Sequence, residues 1–460
     1  MRARGRLAVI FFVASVVVSA ALLAGACGRG GERAARPAVS RAAAAAPERR
    51  ELSPLPLREL SPALARARTR AMRGAEAARG LSFKSEPGMT ELTGWEYGRR
   101  AGEMTDVLGG DELRSLSRLA VAGGLLPEGT DLATLAASFT AASSTAIYSP
   151  LDRRVLLLDA GTKQARRADD SLLAHELTHA LQDQHFDLLR LLTERPYNFD
   201  RAEAVFALVE GDAVAVQRRV GRGAAAPDPS PEEAARAEDA RFSEYRREFG
   251  ALFPPLLTET FVFRYRDGVR FVETARRAGG GSRAADELFR RPPASSEQVL
   301  HPEKYFADER PREAGVRESG FSDAGWRLSA STPLGEIGVR GLLLKGLARR
   351  EAEHAAAGWG GDRAYLFERE EGGDSSSLFV WRTVWDTAAD AREFFRAYNL
   401  LERGRGGAGE ESGDVRAGAA QTLWRSGPLL TAVRAEGDSV TILRGRDGEV
   451  RAALGLARNF

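Results

Sequence analysis

The sequence predicts an α+β protein in two parts: a mostly helical larger domain with one edge β-hairpin, residues 81–330, and a smaller C-terminal α+β domain, residues 331–460. Three observations carry this. Upstream of about residue 330, apolar residues recur at three- and four-residue spacing behind N-cap and capping-box residues, as amphipathic helices require. Beyond Ser331 the apolar runs shorten to strand length. Between Thr145 and Asp159, Ala146-Ile147-Tyr148 and Val155-Leu156-Leu157-Leu158 flank a Ser149-Pro150-Leu151-Asp152 turn, which reads as a hairpin.

The 460 residues leave room for two domains and a leader. A hydrophobic content of 43% and a charged content of 28% belong to a soluble globular chain. Net charge is only +2, with Arg interspersed among acids, so no basic patch exists for nucleic acid, which is discounted as a partner. Met1 to Arg6 is basic, Leu7 to Ala26 is apolar, and small residues precede Cys27, the pattern of a secretory signal peptide over residues 1–27. A short membrane anchor is the alternative. Leu23-Ala24-Gly25-Ala26 followed by Cys27 resembles a bacterial lipoprotein signal, which implies a lipid on Cys27 and an exported protein anchored in the bacterial cell envelope. With this single cysteine, the domains must stand without disulfides. Residues 28–80, rich in Ala, Arg and Pro, read as a tether, helical through Leu60 to Arg79, with no visible chemistry.

Helices are expected near Leu92 to Leu108, Asp111 to Ala122 and Thr130 to Phe139, divided by glycine pairs. After the hairpin, Leu172 to Asp187 carries Leu173, Leu177, Ala180 and Leu181 at helical spacing, with Asp169, Asp170 and Ser171 as N-cap candidates. On such a helix His175 and His179 stand one turn apart on one face, as two imidazoles converging on Zn²⁺ must, with Glu176 beside them as a general base. The bland alternative is a chance His-Glu-x-x-His in an amphipathic helix. Three of only five histidines nevertheless fall between His175 and His185.

His185, six residues after His179, is one candidate third ligand, but Gln182 stands where a helix-ending Gly would be needed to turn the chain back. The other is Glu210. Arg201 to Arg218 reads as a helix with Asp200 as N-cap and Glu203 as its capping-box partner, and Glu210 sits there among Phe206, Ala207, Ala213 and Val214. A carboxylate in apolar company is costly unless paired or metal-bound.

His175 to Ala180, with Leu181 and Asp183 beyond, resembles the active-site helix of thermolysin-like zinc peptidases, the gluzincins. The resemblance covers little more than this helix and that of Glu210. It implies a zincin-like metallopeptidase fold with Zn²⁺ on His175, His179 and Glu210. It also implies that the strand ahead of the helix edges the substrate cleft, where a peptide could pair with it. Tyr148 is then a candidate to face that cleft, against the plainer alternative of packing. Such sites need a partner that orients a ligand His. Asp212 and Asp183 are the candidates, Val214 standing where the family has its Asp.

Ser230 to about Phe249 and Asp267 to Arg277 read as helices. The family uses a downstream His and Tyr to steady the oxyanion, so His301 and Tyr305 are candidates for that role. Leu334 to Ala357 suggests broken helix. Strands follow at Ala364 to Glu368, Leu378 to Trp385, Gln421 to Trp424, Leu429 to Glu436 and Ser439 to Arg444, with a helix at Asp390 to Leu401. Gly358 to Arg363 reads as a turn, and Gly404 to Gly413 as a mobile loop. The expectation is a zinc peptidase acting on peptide or protein substrates at the cell envelope. Its rival is an inactive zincin-fold lipoprotein that binds or scaffolds.

Overall fold

The computed structural model describes residues 52–159, 170–194, 196–223, 227–249, 253–371, 373–406, 408–411 and 419–456. The expected leader, Cys27, the tether up to Glu51 and the N-cap candidate Asp169 lie outside them. Among the described residues no helix is long and apolar enough to cross a membrane.

Helix α1, Pro62–Arg79, starts on Ser61, whose side chain accepts the Leu64 N–H, and on a proline at its first position. Strand β1, Gly88–Leu92, leads to α2, Gly94–Ala122, which opens on a Thr93/Glu96 capping box and breaks at Gly109, where two helices were expected. Helix α3, Leu132–Ser143, is capped by Asp131. The expected hairpin follows as β2, Ala146–Ser149, and β3, Arg154–Leu158, in antiparallel register with Ala146 opposite Leu157. Strand β1 joins β3 in parallel on the other side, leaving β2 at the edge of a three-stranded sheet.

Helix α4, Asp170–Phe186, lies behind this sheet, with the short α5, Leu188–Leu192, after it. Helix α6, Phe199–Arg222, begins two residues earlier than expected and runs four residues further. Its cap is Asn198, which accepts the Arg201 N–H, while Asp200 is buried in the first turn and Glu203 forms a bidentate ion pair with Arg264 in place of a capping box. Helices α7, Pro231–Phe249, and α8, Pro255–Gly279, pack beside it, followed by α9, Ser282–Arg290, α10, Ser296–Leu300, α11, Pro302–Phe306, and α12, Glu318–Asp323.

The C-terminal part is built on β4, Arg327–Thr332, then α13, Gly335–Leu343, α14, Arg349–Ala356, β5, Trp359–Glu371, β6, Asp374–Trp385, and α15, Ala388–Gly404. It ends with β7, Ala408–Glu411, β8, Ala419–Ser426, β9, Leu429–Glu436, β10, Ser439–Arg446, and α16, Asp447–Leu456. The strands form a seven-stranded antiparallel sheet in the order β4-β5-β6-β10-β9-β8-β7. The molecule is therefore α+β. Strand β5 begins at Trp359, where a turn was expected, and β7 lies inside the expected mobile loop.

Two further expectations are corrected. The stretch read as tether contains α1, whose Ala71 and Ala75 are fully buried in one apolar cluster with Tyr148, Val155, Leu173, Leu177 and Leu181. A segment that buries this face against α4 and the small sheet is part of the folded body. The boundary at residue 331 also fails as a break in packing. Strand β4 already belongs to the large sheet from Arg327, and one core cluster holds Leu208 and Phe263 together with Trp359, Trp381 and Phe394.

Candidate metal centre

The His-Glu-x-x-His segment lies in the middle of α4, where every residue from Leu173 to Gln182 is buried. The 3.6-residue turn puts His175 and His179 on one face. Their Nε2 atoms are 3.2 Å apart, with the rings edge-on at 87°. Helix α6 crosses α4 and brings Glu210 to them: its Oε2 is 3.3 Å from His175 Nε2 and 3.6 Å from His179 Nε2. The charges act on one another. Burial opposes ionisation of Glu210, yet the neighbouring His179 and His175 pull its carboxyl well below the usual carboxylate range. Burial disfavours the charged His179, and the Glu210 carboxylate outweighs it and raises the imidazole to about 9.

The spacing of these three atoms fits Zn²⁺. Tetrahedral ligands at about 2.0–2.1 Å from a zinc are separated from one another by roughly 3.3 Å, and the observed separations are 3.2, 3.3 and 3.6 Å. Two ring nitrogens and a carboxylate oxygen are also the donors such a site takes. Glu210 Oε2 is buried without a hydrogen bond among the described residues, which is costly for a carboxylate oxygen that has no cation to bind.

Glu176, next to His175, is buried, and its Oε2 accepts the backbone N–H of Tyr148 on β2 at 2.8 Å. Burial raises its carboxyl above the ordinary range. Tyr148 does not face an open cleft. It is buried, and its hydroxyl donates to Asp183 Oδ2 at 2.8 Å, while Asp183 Oδ1 accepts the Leu188 N–H. Asp183 thus holds the strand beside Glu176 and bonds neither His175 nor His179.

Asp212 is reached from His179 through an intermediary. His179 Nδ1 lies 2.9 Å from Gln182 Oε1, and Gln182 Nε2 donates to Val209 O and Asp212 Oδ2, each at 3.0 Å. Asp212 Oδ2 also accepts from Arg79 Nε at 2.7 Å. His185 turns away from the other two rings and donates from Nε2 to the Ser82 carbonyl at 2.9 Å.

His301 and Tyr305 are engaged elsewhere, against expectation. His301 Nε2 pairs with the buried Glu336 at 3.0 Å, and Tyr305 donates its hydroxyl to the Arg291 carbonyl at 2.7 Å while its ring packs on Phe271. The tyrosine beside His175 is Tyr265, on α8. Its ring stacks over His175 with centroids 6.4 Å apart at 17°. Burial drives its phenol well above the ordinary value, and the Glu210 and Glu176 charges push it further, so the hydroxyl stays protonated. Sequence reasoning missed Tyr265, Gln182 and Arg79. The only trace of the first was an aromatic pair four residues apart, Phe261 and Tyr265, which touch at 5.0 Å.

A family described as a domain of unknown function, DUF8575, matches residues 326–454, which hold the large sheet and none of the residues around His175. No curated protein matches the chain. A crystal structure from Chloroflexus aurantiacus, described as that of "a putative hydrolase with a novel fold", is similar at 17% identity over 54% of this chain and 88% of its own, with a TM-score of 0.33. That overlap is too low to establish a shared fold.

Proposed function

We propose that the protein is a zinc-dependent peptidase of thermolysin-like chemistry, with Zn²⁺ held by His175, His179 and Glu210, acting on peptide or protein substrates at the bacterial cell envelope. One observation supports it above the rest: two imidazole nitrogens and a carboxylate oxygen converge at zinc spacing beside a buried carboxylate. Bound zinc would polarise the scissile carbonyl and lower the pKa of a water to about 7.

The other steps belong to the chain's own residues. Glu176 is the base that takes the proton of the attacking water and returns it to the leaving amine, and burial raises its carboxyl in the direction that favours holding that proton. The Tyr148 N–H fixes Oε2, leaving Oε1 with no hydrogen bond to the described residues. Tyr265, kept neutral, is the donor for the oxygen that gains charge. The outer strand β2 offers backbone for an extended peptide. Placement at the envelope rests on the leader and Cys27.

The test is Glu176→Gln in the purified protein. Zinc content should be unchanged while hydrolysis of a peptide library falls by about 10²–10⁴-fold. Equal hydrolysis in the variant, or no hydrolysis and no zinc in the natural protein, would sink the peptidase reading in favour of a binding role.

A further inference from the structure

We infer that Arg79, on α1, is a positioning residue for the metal centre, acting through Asp212 and Gln182 on the ring of His179; the inference rests on the zinc reading above. The chain of contacts is continuous. Arg79 Nε donates to Asp212 Oδ2 at 2.7 Å, Gln182 Nε2 donates to the same oxygen at 3.0 Å, and Gln182 Oε1 faces His179 Nδ1 at 2.9 Å. Arg79, Gln182 and Asp212 are all fully buried, and Arg79 Nη1 is itself held by Asp286 at 2.7 Å.

The direction of each bond is determined. Asp212 and the Val209 carbonyl are acceptors only, so the Gln182 amide must present its nitrogen to them and its oxygen to His179. That oxygen requires a proton on Nδ1 and leaves the Nε2 lone pair free for the metal. Without Arg79, the Asp212 charge would be buried alone, with nothing to hold its Oδ2 against Gln182.

A role in stability alone does not account for this arrangement. A buried ion pair is seldom better for stability than well-packed apolar side chains. Here it is also unevenly used: Oδ2 takes both donors, while Asp212 Oδ1 and Arg79 Nη2 have no hydrogen-bond partner among the described residues. The bonding is concentrated on the oxygen that faces Gln182.

The experiment compares the full-length protein with the double variant Arg79→Met/Asp212→Leu, which removes both charges together, and with Gln182→Met, which leaves the ion pair in place. Zn²⁺ affinity is measured by competition with a chromophoric chelator, and the visible absorption of the Co²⁺-substituted protein reports ligand geometry. Both variants should bind Zn²⁺ about 10–100-fold more weakly and show an altered Co²⁺ band, with unfolding still cooperative. Natural affinity and an unchanged band in a folded variant would overturn the inference and leave the zinc reading intact. If the double variant fails to fold, Gln182→Met decides alone. A natural protein that takes up no Zn²⁺ would overturn both.

Discussion

Tyr265 lies over the His175 ring, and burial first, then the Glu210 and Glu176 charges, keep its phenol protonated. Replacing it with Phe removes one hydroxyl and leaves the stacking, so its effect isolates the donor. Tyr265→Phe should lower kcat by about 10²-fold with KM nearly unchanged, because the bond strengthens only as charge develops on the substrate oxygen. Steady-state kinetics on one good peptide substrate would check this, and a change in KM alone would reassign Tyr265 to substrate packing. At this scale what could be read in advance was the proximity that local spacing sets. His175, Glu176 and His179 are set by one helical turn, and Glu210 stood out as a carboxylate among apolar neighbours. Tyr265 and Arg79 were silent because only the tertiary fold brings them near, and Gln182 was noticed only as the absence of a glycine. His301 and Tyr305 were selected by residue type and order along the chain, which say nothing about distance.

At the scale of elements, the centre depends on how closely α6 and α8 approach. Gly211 follows Glu210 directly, and a Cβ there would lie 2.2 Å from the Gly268 carbonyl carbon, while a Cβ on Gly268 would lie 2.1 Å from the Ala207 oxygen. The two backbones touch, so this crossing fixes both Glu210 on α6 and Tyr265 on α8. Gly211→Ala should force the helices apart and cost about 3 kcal/mol or more of stability, read from denaturant midpoints, with weaker zinc binding as Glu210 moves. Gly221→Ala on the same helix is the control. Its Cβ would meet Ser171 at an ordinary 3.5 Å, and it should gain about 0.5–1 kcal/mol from helix propensity. Equal effects at the two sites would mean that the crossing is not what holds Glu210. The span of α4 was legible to within two residues from its apolar period. The glycine contact was not, since a glycine inside a helical run reads only as a weak point until its neighbour across the interface is known.

At the scale of the molecule, the texture of the sequence changes near residue 331 while the packing continues through it. Leu208, Phe263 and Phe271 of the helical part share one buried cluster with Ile337, Trp359, Trp381, Trp385 and Tyr398. Asp362 holds the start of α13 to the sheet on the C-terminal side of that boundary. Buried on β5, it accepts from the backbone N–H groups of Leu334 and Gly335 and from the indoles of Trp359 and Trp381. Apolar periodicity shows that a strand has a face to bury and is silent about which part of the chain will cover it, so the seam could not be read in advance. The matched family begins near this boundary, at residue 326, and runs to residue 454, so separability of the sheet can be tested. If the core is shared, the intact protein should unfold in one calorimetric transition, its van't Hoff and calorimetric enthalpies agreeing. Residues 326–460 expressed alone should lack a sharp transition and bind a hydrophobic dye, because the faces of Trp359 and Trp381 that meet the helices would lie open to water. A sharp transition in that fragment, matched by a second step in the intact chain, would show that the sheet folds by itself and that the helices only rest on it.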